Sequence, residues 1–416
     1  MDATRDFDAI VIGGGVVGLT AALLIARRAP DARVALVAPE APQASSGDLR
    51  TAALFPDGAA LLREAGAWEA VAEHAAPLAG IRIIDQSDRL LRAPPVTFLA
   101  REVGLDAFGH NAANGAMVQA LEAVAARTQA LARVAATVED TGMAEGWRNL
   151  KLADGRVLRG RVVLAADGRG SRLRAAAGIA VRKWDRDQVA VTTHFSHVRD
   201  HQGISTELHD REGPCTTVPL GARRSSLVWM RDVASADAML TGSTADAAGQ
   251  TFVRALQDRV GGFLGAVSDV RPPKTVLLSS LVAEKLAADR LMLIGESGHA
   301  FPPIGAQGLN LGMRDVAAAV DRVVAALRRG EDPGGAAVTR GYHRARWADV
   351  QARSAGVDAL NQSLIAAGPL LPLARGAGMH LVKALPFAKR ALMRQGMRGI
   401  ELPRRPTGPR RSLTSR

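Results

Sequence analysis

From Phe7 to Ile12 the chain is apolar except at Asp8, and after GGGVVG it continues as LTAALLIARRA. The first run has the length and β-branched content of a buried strand, and the second has the pattern of a helix laid against it. Arg33 to Val37 predicts a second strand. Strand, helix and strand in that order make a parallel βαβ unit.

Helical stretches are expected at about 57–66 and 67–76, strands at 80–85 and 96–99, and a helix at about 112–127 starting near Asn111 or Asn114. Strands follow at about 133–139, 148–152 and 157–166. From about 188 to 231 the pattern changes to short alternating runs without long helices: QVAVTTHF, GISTELH, PCTTVPL and RSSLVWM. That is the pattern of an antiparallel sheet inserted into the surrounding unit, with a substrate chamber between the two. A helical interval at about 244–260 and a strand at 275–282 complete the segment. Leu291 to Ile294 predicts a short buried strand, followed by an acidic turn and a Pro/Gly-rich loop. Long helices are expected at about 307–329, 335–365 and 378–396, the last rich in Lys and Arg.

Composition narrows the class. With 416 residues, 47% hydrophobic and 23% charged, the chain reads as an ordinary soluble enzyme of roughly two or three domains. The single cysteine, Cys215, excludes an internal disulfide and a cysteine-built metal cage and fits a reducing cytosol. The first residues lead straight into a strand, and no apolar run reaches the roughly 18 residues of a membrane span, so export and membrane spanning are not expected. The net charge is +12, but Arg375–Arg416 holds eleven Lys/Arg against Glu401 alone and so carries +10 of it. A basic end mixed with Leu, Met, Phe and Pro suits an anionic membrane surface or an acidic partner better than a nucleic acid groove. A cytoplasmic protein, peripheral on the inner face of the cytoplasmic membrane, is expected.

Three stretches carry candidate chemistry. Gly13, Gly15 and Gly18 form GxGxxG between the first strand and helix: Gly13 for a tight turn, Gly15 for close approach of a pyrophosphate, Gly18 for helix-strand packing. An acid should follow the second strand to hold ribose hydroxyls, but Ala38 stands there. Glu40, behind Pro39, either reaches the ribose from the loop or stands solvated. Arg50 either lies along a pyrophosphate or faces solvent. The second stretch, LAADGRGSRLR, puts Asp167 at the carboxyl end of an apolar strand, where ligands meet open α/β sheets; the alternative is a turn whose Asp caps the helix beginning at Ser171.

The third stretch, Leu291–Asp315, enters a long helix through Gln307-Gly308-Leu309-Asn310. Free backbone N–H groups and the positive helix end meet there, ready for an anion or an electron-rich ring edge, although an ordinary strand-loop-helix connection has the same outline. His194, His197, His201 and His209 show no metal-ligand spacing and read as surface or strand histidines. No Ser-His-Asp arrangement, HExxH or GxxxxGK[ST] appears, so hydrolytic and ATP-driven chemistry have no support.

GGGVVG, LAADGRGSRLR and LIGESGHAFPPIGAQGLNLGMRD, in that order, resemble the FAD-dependent aromatic hydroxylases (class A flavin monooxygenases), and among them the ubiquinone-biosynthesis, UbiH-like branch. VPLGARRSSLVWM (218–230) and GMHLVKALPFAKRALMRQGM (378–397) resemble that branch too, so the similarity runs from about residue 7 to 400. The resemblance implies an α/β, PHBH-type flavoprotein fold: a Rossmann-like FAD-binding domain (1–79, 111–187, 286–330), an inserted, mostly antiparallel β-sheet substrate domain (80–110, 188–285), and C-terminal helices with a basic tail (331–416). It places Gly13, Gly15 and Gly18 at the ADP part of FAD and Arg50 near the pyrophosphate and ribityl chain. Asp167 would link cofactor binding to nicotinamide access. The cofactor-binding turn Gly295-Glu296 would hold the ribityl hydroxyls through its acid, and the backbone at Gly308, Leu309 and Asn310 the pyrimidine edge, where reduced flavin gathers negative charge.

The implied activity is hydroxylation of an aromatic ring, a polyprenylated phenol intermediate of ubiquinone biosynthesis, by O₂ through a flavin C4a-hydroperoxide. NAD(P)H or another donor would be the reductant, with peripheral contact to a membrane or a quinone-biosynthesis complex. No catalytic side chain is singled out and no metal is expected, since the flavin carries the chemistry. Two departures from the family pattern stand out: Ala38 replaces the usual acid, and Glu296 replaces the usual Asp or Asn. Two other readings keep the flavin: a reductase of an isoprenoid double bond, and a non-catalytic, membrane-associated assembly component.

Overall fold

The computed structural model describes residues 5–40, 49–86, 94–210, 213–241, 245–302, 307–365, and 385, 387, 389–391 and 393. The chain begins β1 (Arg5–Ile12), α1 (Val16–Arg28), β2 (Val34–Ala38), β3 (Thr51–Leu54), α2 (Pro56–Ala65), α3 (Trp68–Ala72), β4 (Ala76–Pro77), β5 (Gly80–Asp85) and β6 (Val96–Leu99). It continues with β7 (His110–Ala113), α4 (Asn114–Ala125), β8 (Leu131–Ala135), β9 (Val138–Ala144), β10 (Trp147–Leu152), β11 (Val157–Ala165) and α5 (Arg172–Ala176). Next come β12 (Val181–His197), β13 (Ile204–His209), β14 (Pro214–Pro219), β15 (Arg224–Asp232), α6 (Val233–Leu240), α7 (Ala245–Leu264), β16 (Val267–Ser268) and β17 (Lys274–Ala283). The last elements are β18 (Ala287–Ala288), β19 (Leu291–Leu293), β20 (His299–Ala300), α8 (Gln307–Arg328) and α9 (Ala336–Ile365).

One sheet is built on the parallel series β19-β11-β1-β2-β8, with β18, β10 and β9 added antiparallel. Its central strand β1 is covered on both sides, which is why Ala9, Ile10 and Val11 are fully buried. Helix α1 is apolar nearly all round because it lies between this sheet and α2, α4 and α8. Helix α8 packs along α1, and α9 packs on α8.

A nine-stranded sheet follows the order β20-β17-β12-β15-β14-β13-β5-β6, with β16 on β12. It is antiparallel except where β13 and β5 run parallel. Alternation along its strands separates two faces. Val191, Phe195, Leu227 and Trp229 pack under Phe252, Leu256 and Val260 of α7. The other face meets a small antiparallel sheet, β3-β7-β4, and the residues leading into it through polar contacts: His194 Nε2 with Leu49 O (2.9 Å), Thr51 Oγ1 with Ser226 Oγ (3.0 Å), and Asn111 Nδ2 donating to Pro219 O (2.9 Å).

Several expectations are corrected. The strand at 133–139 is two strands, because β8 pairs with β2 whereas β9 turns to pair with β10. The helix at 67–76 shrinks to Trp68–Ala72, since Ala76 and Pro77 are drawn into pairing with β7. Strands β3 and β7, four residues each, were too short to show alternation. Helix α6 was also unforeseen; it starts where Asp232 accepts a hydrogen bond from Ser235 N, and α7 runs four residues beyond Gln257-Asp258-Arg259-Val260, to Leu264. Most of the polar segment 43–50 and of the basic helix 378–396 lies outside the described residues. Among the described residues no helix is long and apolar enough to cross a membrane.

Candidate active site

The first two glycine-bearing stretches meet through backbone. Gly13 has φ +121°, and a Cβ there would lie 2.2 Å from Ala166 O; a Cβ on Gly18 would lie 2.1 Å from Gly13 O. Neither position admits a side chain. Gly15 is different: it is the extended residue capping α1, and nothing lies within 4 Å of where its Cβ would stand. That leaves open room in front of the helix N-terminus, whose first amides have no acceptor within the helix.

Asp167 follows β11 and serves the short helix α5: its Oδ2 accepts from Arg172 N (3.0 Å), with Leu173 N at 3.5 Å. Its other oxygen, Oδ1, is buried without a hydrogen-bond partner. The capping role read from the sequence is therefore present, and one carboxylate oxygen remains for a ligand donor. Buried Arg174 donates to Ser297 O (2.7 Å) and Arg169 O (2.9 Å), and burial lowers its pKa against the opposing pull of Asp167. Ser297 Oγ donates to Ala165 O (2.6 Å), and Ile294 N to the same oxygen (2.9 Å). These bonds sew the Asp167 turn to the loop after β19. Glu296 lies on that loop, half exposed, 3.4 Å from Arg169 Nε.

Gly295 (φ +63°) brings the loop to α1: its Cβ would lie 3.2 Å from Val17 Cγ1. A Cβ on Gly312 would come within 2.9 Å of Val17 Cγ2 and 3.3 Å of Gly295 Cα. Small residues on both sides thus let the N-terminal turns of α1 and α8 approach each other. In the first turn of α8, Gly308 is exposed and Leu309 half-buried. Asn310 is buried; its Oδ1 accepts from Phe55 N (2.8 Å) and its Nδ2 donates to Ala53 O (2.7 Å). Its side chain thus positions the helix, leaving backbone amides for any ligand.

Beneath this turn lies a buried ionic group that the sequence reading passed over. Asp315 Oδ2 accepts from Gly295 N (2.9 Å) and His299 Nε2 (2.5 Å), and Oδ1 accepts from Arg346 Nε (2.7 Å). Burial pushes the Asp315 carboxyl up, but His299 and Arg346 together hold it below the usual carboxylate range. Arg346 also pairs with Asp349 (2.7 Å), and Tyr342 donates to Leu293 O (2.6 Å). A signal was available: Asp315 stands among Leu311, Val316 and Ala319 on the buried face of α8, where a charge requires a partner.

Glu40 and Arg50 are exposed, and the Arg50 carbonyl accepts from Asn114 N (3.0 Å). Ala38 is buried at the end of β2. His194 and His197 are buried strand residues, and burial lowers the His197 pKa. Among the described residues no group of His, Cys, Asp and Glu can hold a metal ion. Cys215 is fully buried and its thiol is pushed up to about 12, which leaves it inert at neutral pH.

The open space at Gly15, the unpartnered Asp167 Oδ1 and two converging helix N-termini fit a dinucleotide with a ring at its far end. A family model described as "FAD binding domain" matches residues 6–352. The chain belongs to this family, the FAD-dependent class A monooxygenases. It is 31% identical to ubiquinone hydroxylase UbiL of Rhodospirillum rubrum over 410 residues, covering 96% of this chain and 91% of that one. It is 26% identical to the 3-demethoxyubiquinol 3-hydroxylase of Escherichia coli, covering 93% and 97%. Among solved structures, the p-nitrophenol 4-monooxygenase PnpA of Pseudomonas putida shares the fold at TM-score 0.76 and 18% identity, covering 94% and 98%. PqsL of P. aeruginosa in complex with 2-aminobenzoylacetate shares it at TM-score 0.73 and 23% identity, covering 90% and 100%. The architecture is the PHBH-type fold: a parallel Rossmann sheet joined to an antiparallel sheet.

Proposed function

We propose that this chain hydroxylates the ring of a polyprenylated phenol, an intermediate of ubiquinone biosynthesis. The observation that carries the substrate class is the wall beside the N-terminus of α8. Phe55, whose N–H donates to Asn310, packs with Ile81, Ile83, Val96 and Phe98 on the face of β5 and β6. An apolar wall of that kind accepts a prenylated ring, and a cation set against it, Lys389 Nζ at 5.7 Å from the Phe98 ring centre, is paired with Glu102. The names of the two ubiquinone-pathway relatives support the same reading.

When bound and reduced, FAD supplies the activation of O₂ and the transfer of one oxygen atom to the ring. The chain's own residues bind and orient. In this proposal the amides after Gly15 receive the pyrophosphate, with Gly13 and Gly18 shaping the turn and Arg50 beside it. Asp167 Oδ1 and Glu296 take hydroxyl donors of the ribityl chain, with Gly295 allowing the loop to approach. The amides at Gly308, Leu309 and Asn310 would hold the pyrimidine edge and stabilise negative charge there. The apolar wall orients the ring and excludes water.

The domain division proposed is an FAD-binding part (1–79, 111–187, 286–330), a substrate part (80–110, 188–285) and the C-terminal helices. Membership of β5, β6 and β12 to β17 in one sheet supports it, although β20, at His299–Ala300, also joins that sheet. The excess of Lys and Arg after Arg375, with Phe387 exposed among them, supports peripheral contact with an anionic membrane. Profiling quinone intermediates in a strain lacking the gene tests the placement. Accumulation of an under-hydroxylated polyprenylphenol is expected, and an unchanged quinone pool would refute it.

A further inference from the structure

We propose that Glu122 of α4, held by Arg133 of β8, supplies the carboxylate that receives the adenosine ribose hydroxyls of FAD. The inference rests on the FAD reading of the site. A Rossmann turn ordinarily meets the ribose with an acid at the end of its second strand. Here that residue is Ala38, and its methyl is turned into the glycine loop, 3.0 Å from where a Cβ on Gly14 would stand. Glu122 Oε1 lies 3.7 Å from the same point. A carboxylate from a neighbouring helix therefore stands beside the residue that lacks one.

Its geometry is fixed. Arg133 NH2 donates to Glu122 Oε1 (2.9 Å) and Nε lies 3.3 Å from Oε2. The same guanidinium donates to Ala38 O (2.9 Å) and Pro39 O (3.2 Å), so it ties the carboxylate to the end of β2. Each carboxylate oxygen accepts two hydrogen bonds, and Arg133 uses one on each. The remaining lone pairs suit a vicinal pair of hydroxyls. Both side chains keep about a quarter of their surface exposed (24% and 21%), enough for a ligand to reach them. The Arg133 charge also offsets the repulsion between Glu122 and a pyrophosphate at the glycine turn. Glu40, by contrast, is on the exposed chain beyond Pro39.

The test is titration of the deflavinated full chain with FAD and with FMN, which lacks the adenosine. For Glu122→Gln and Glu122→Ala, FAD dissociation constants should rise on the order of tenfold or more, while FMN binding stays as in the wild type. FAD lacking the 2′-hydroxyl of its adenosine ribose should bind the wild type correspondingly more weakly, and the Glu122→Ala protein should show no further loss. The modified-cofactor arm on the wild type alone keeps the proposal exposed to refutation if a variant folds poorly. Unchanged FAD affinity in both variants with a loss in Glu40→Ala would assign the role to Glu40 and overturn the proposal. Parallel weakening of FAD and FMN would overturn it too, by making Glu122 a general support of the fold. A wild-type chain that binds neither flavin would refute the cofactor reading itself.

Discussion

Arg169 Nε lies 3.4 Å from Glu296 Oε2, joining two turns 127 residues apart in sequence. Both side chains are substantially exposed, so the pair contributes little to stability, and its consequence is the placement of the carboxylate. Glu296→Ala should leave the melting transition within about 1 kcal/mol of wild type. It should raise the FAD dissociation constant on the order of tenfold, through loss of a charged hydrogen bond. Flavin content and dissociation equal to wild type would show that Glu296 makes no ribityl contact.

The two glycines on either side of the α1 N-terminus should respond oppositely. Gly15 borders open space, so Gly15→Asp should fold with an unchanged melting transition but repel a pyrophosphate and purify without flavin. Gly18→Ala forces a methyl to within 2.1 Å of Gly13 O and should destabilise the chain by about 1–3 kcal/mol or more. Circular dichroism melts of the two apoproteins, with flavin absorbance, check both.

Acid stability should depend on Asp315. Its folded pKa is depressed by His299 and Arg346, so the unfolded chain takes up the proton first as pH falls. The stability it contributes is present in full above about pH 4 and is lost as pH drops through the folded value. Asp315→Asn should flatten that acid limb, and at neutral pH Asp315→Ala should cost about 3–5 kcal/mol by breaking a buried pair, leaving Arg346 with Asp349 alone and His299 without its carboxylate. Melting temperatures from pH 3 to 7 measure this; a mutant whose acid limb parallels the wild type would contradict it.

Ending the chain at Pro403 removes Arg404, Arg405, Arg410, Arg411 and Arg416. At about 1 kcal/mol per charge near an anionic surface, vesicle binding should fall on the order of a hundredfold or more at low salt. Equal flotation of both chains with anionic vesicles would remove the tail from any membrane role.

Most of the architecture was legible because the parallel strands are continuous apolar runs and the inserted sheet alternates. Three glycine-bearing stretches were picked out as well, and the fold brings them together, Gly13 against Ala166 and Gly295 against Val17. What escaped was tertiary in origin. Strands β3, β4 and β7 are held by pairing among themselves, and the split between β8 and β9 follows from a change of partner. Asn310 was read as a backbone donor, yet its side chain clamps Ala53 and Phe55, which lie more than 250 positions away (257 and 255). The partnership of His299, Asp315 and Arg346 spans two helices and a short strand, and no local pattern announces it.

The central claim is oxygen transfer to a ring. Purified holoenzyme, reduced by NAD(P)H or another donor, should be given a polyprenylated phenol under ¹⁸O₂ and its product weighed by mass spectrometry. One ¹⁸O atom per product molecule is predicted. A product formed without label, or donor oxidised with no change in the phenol, would contradict the hydroxylase assignment.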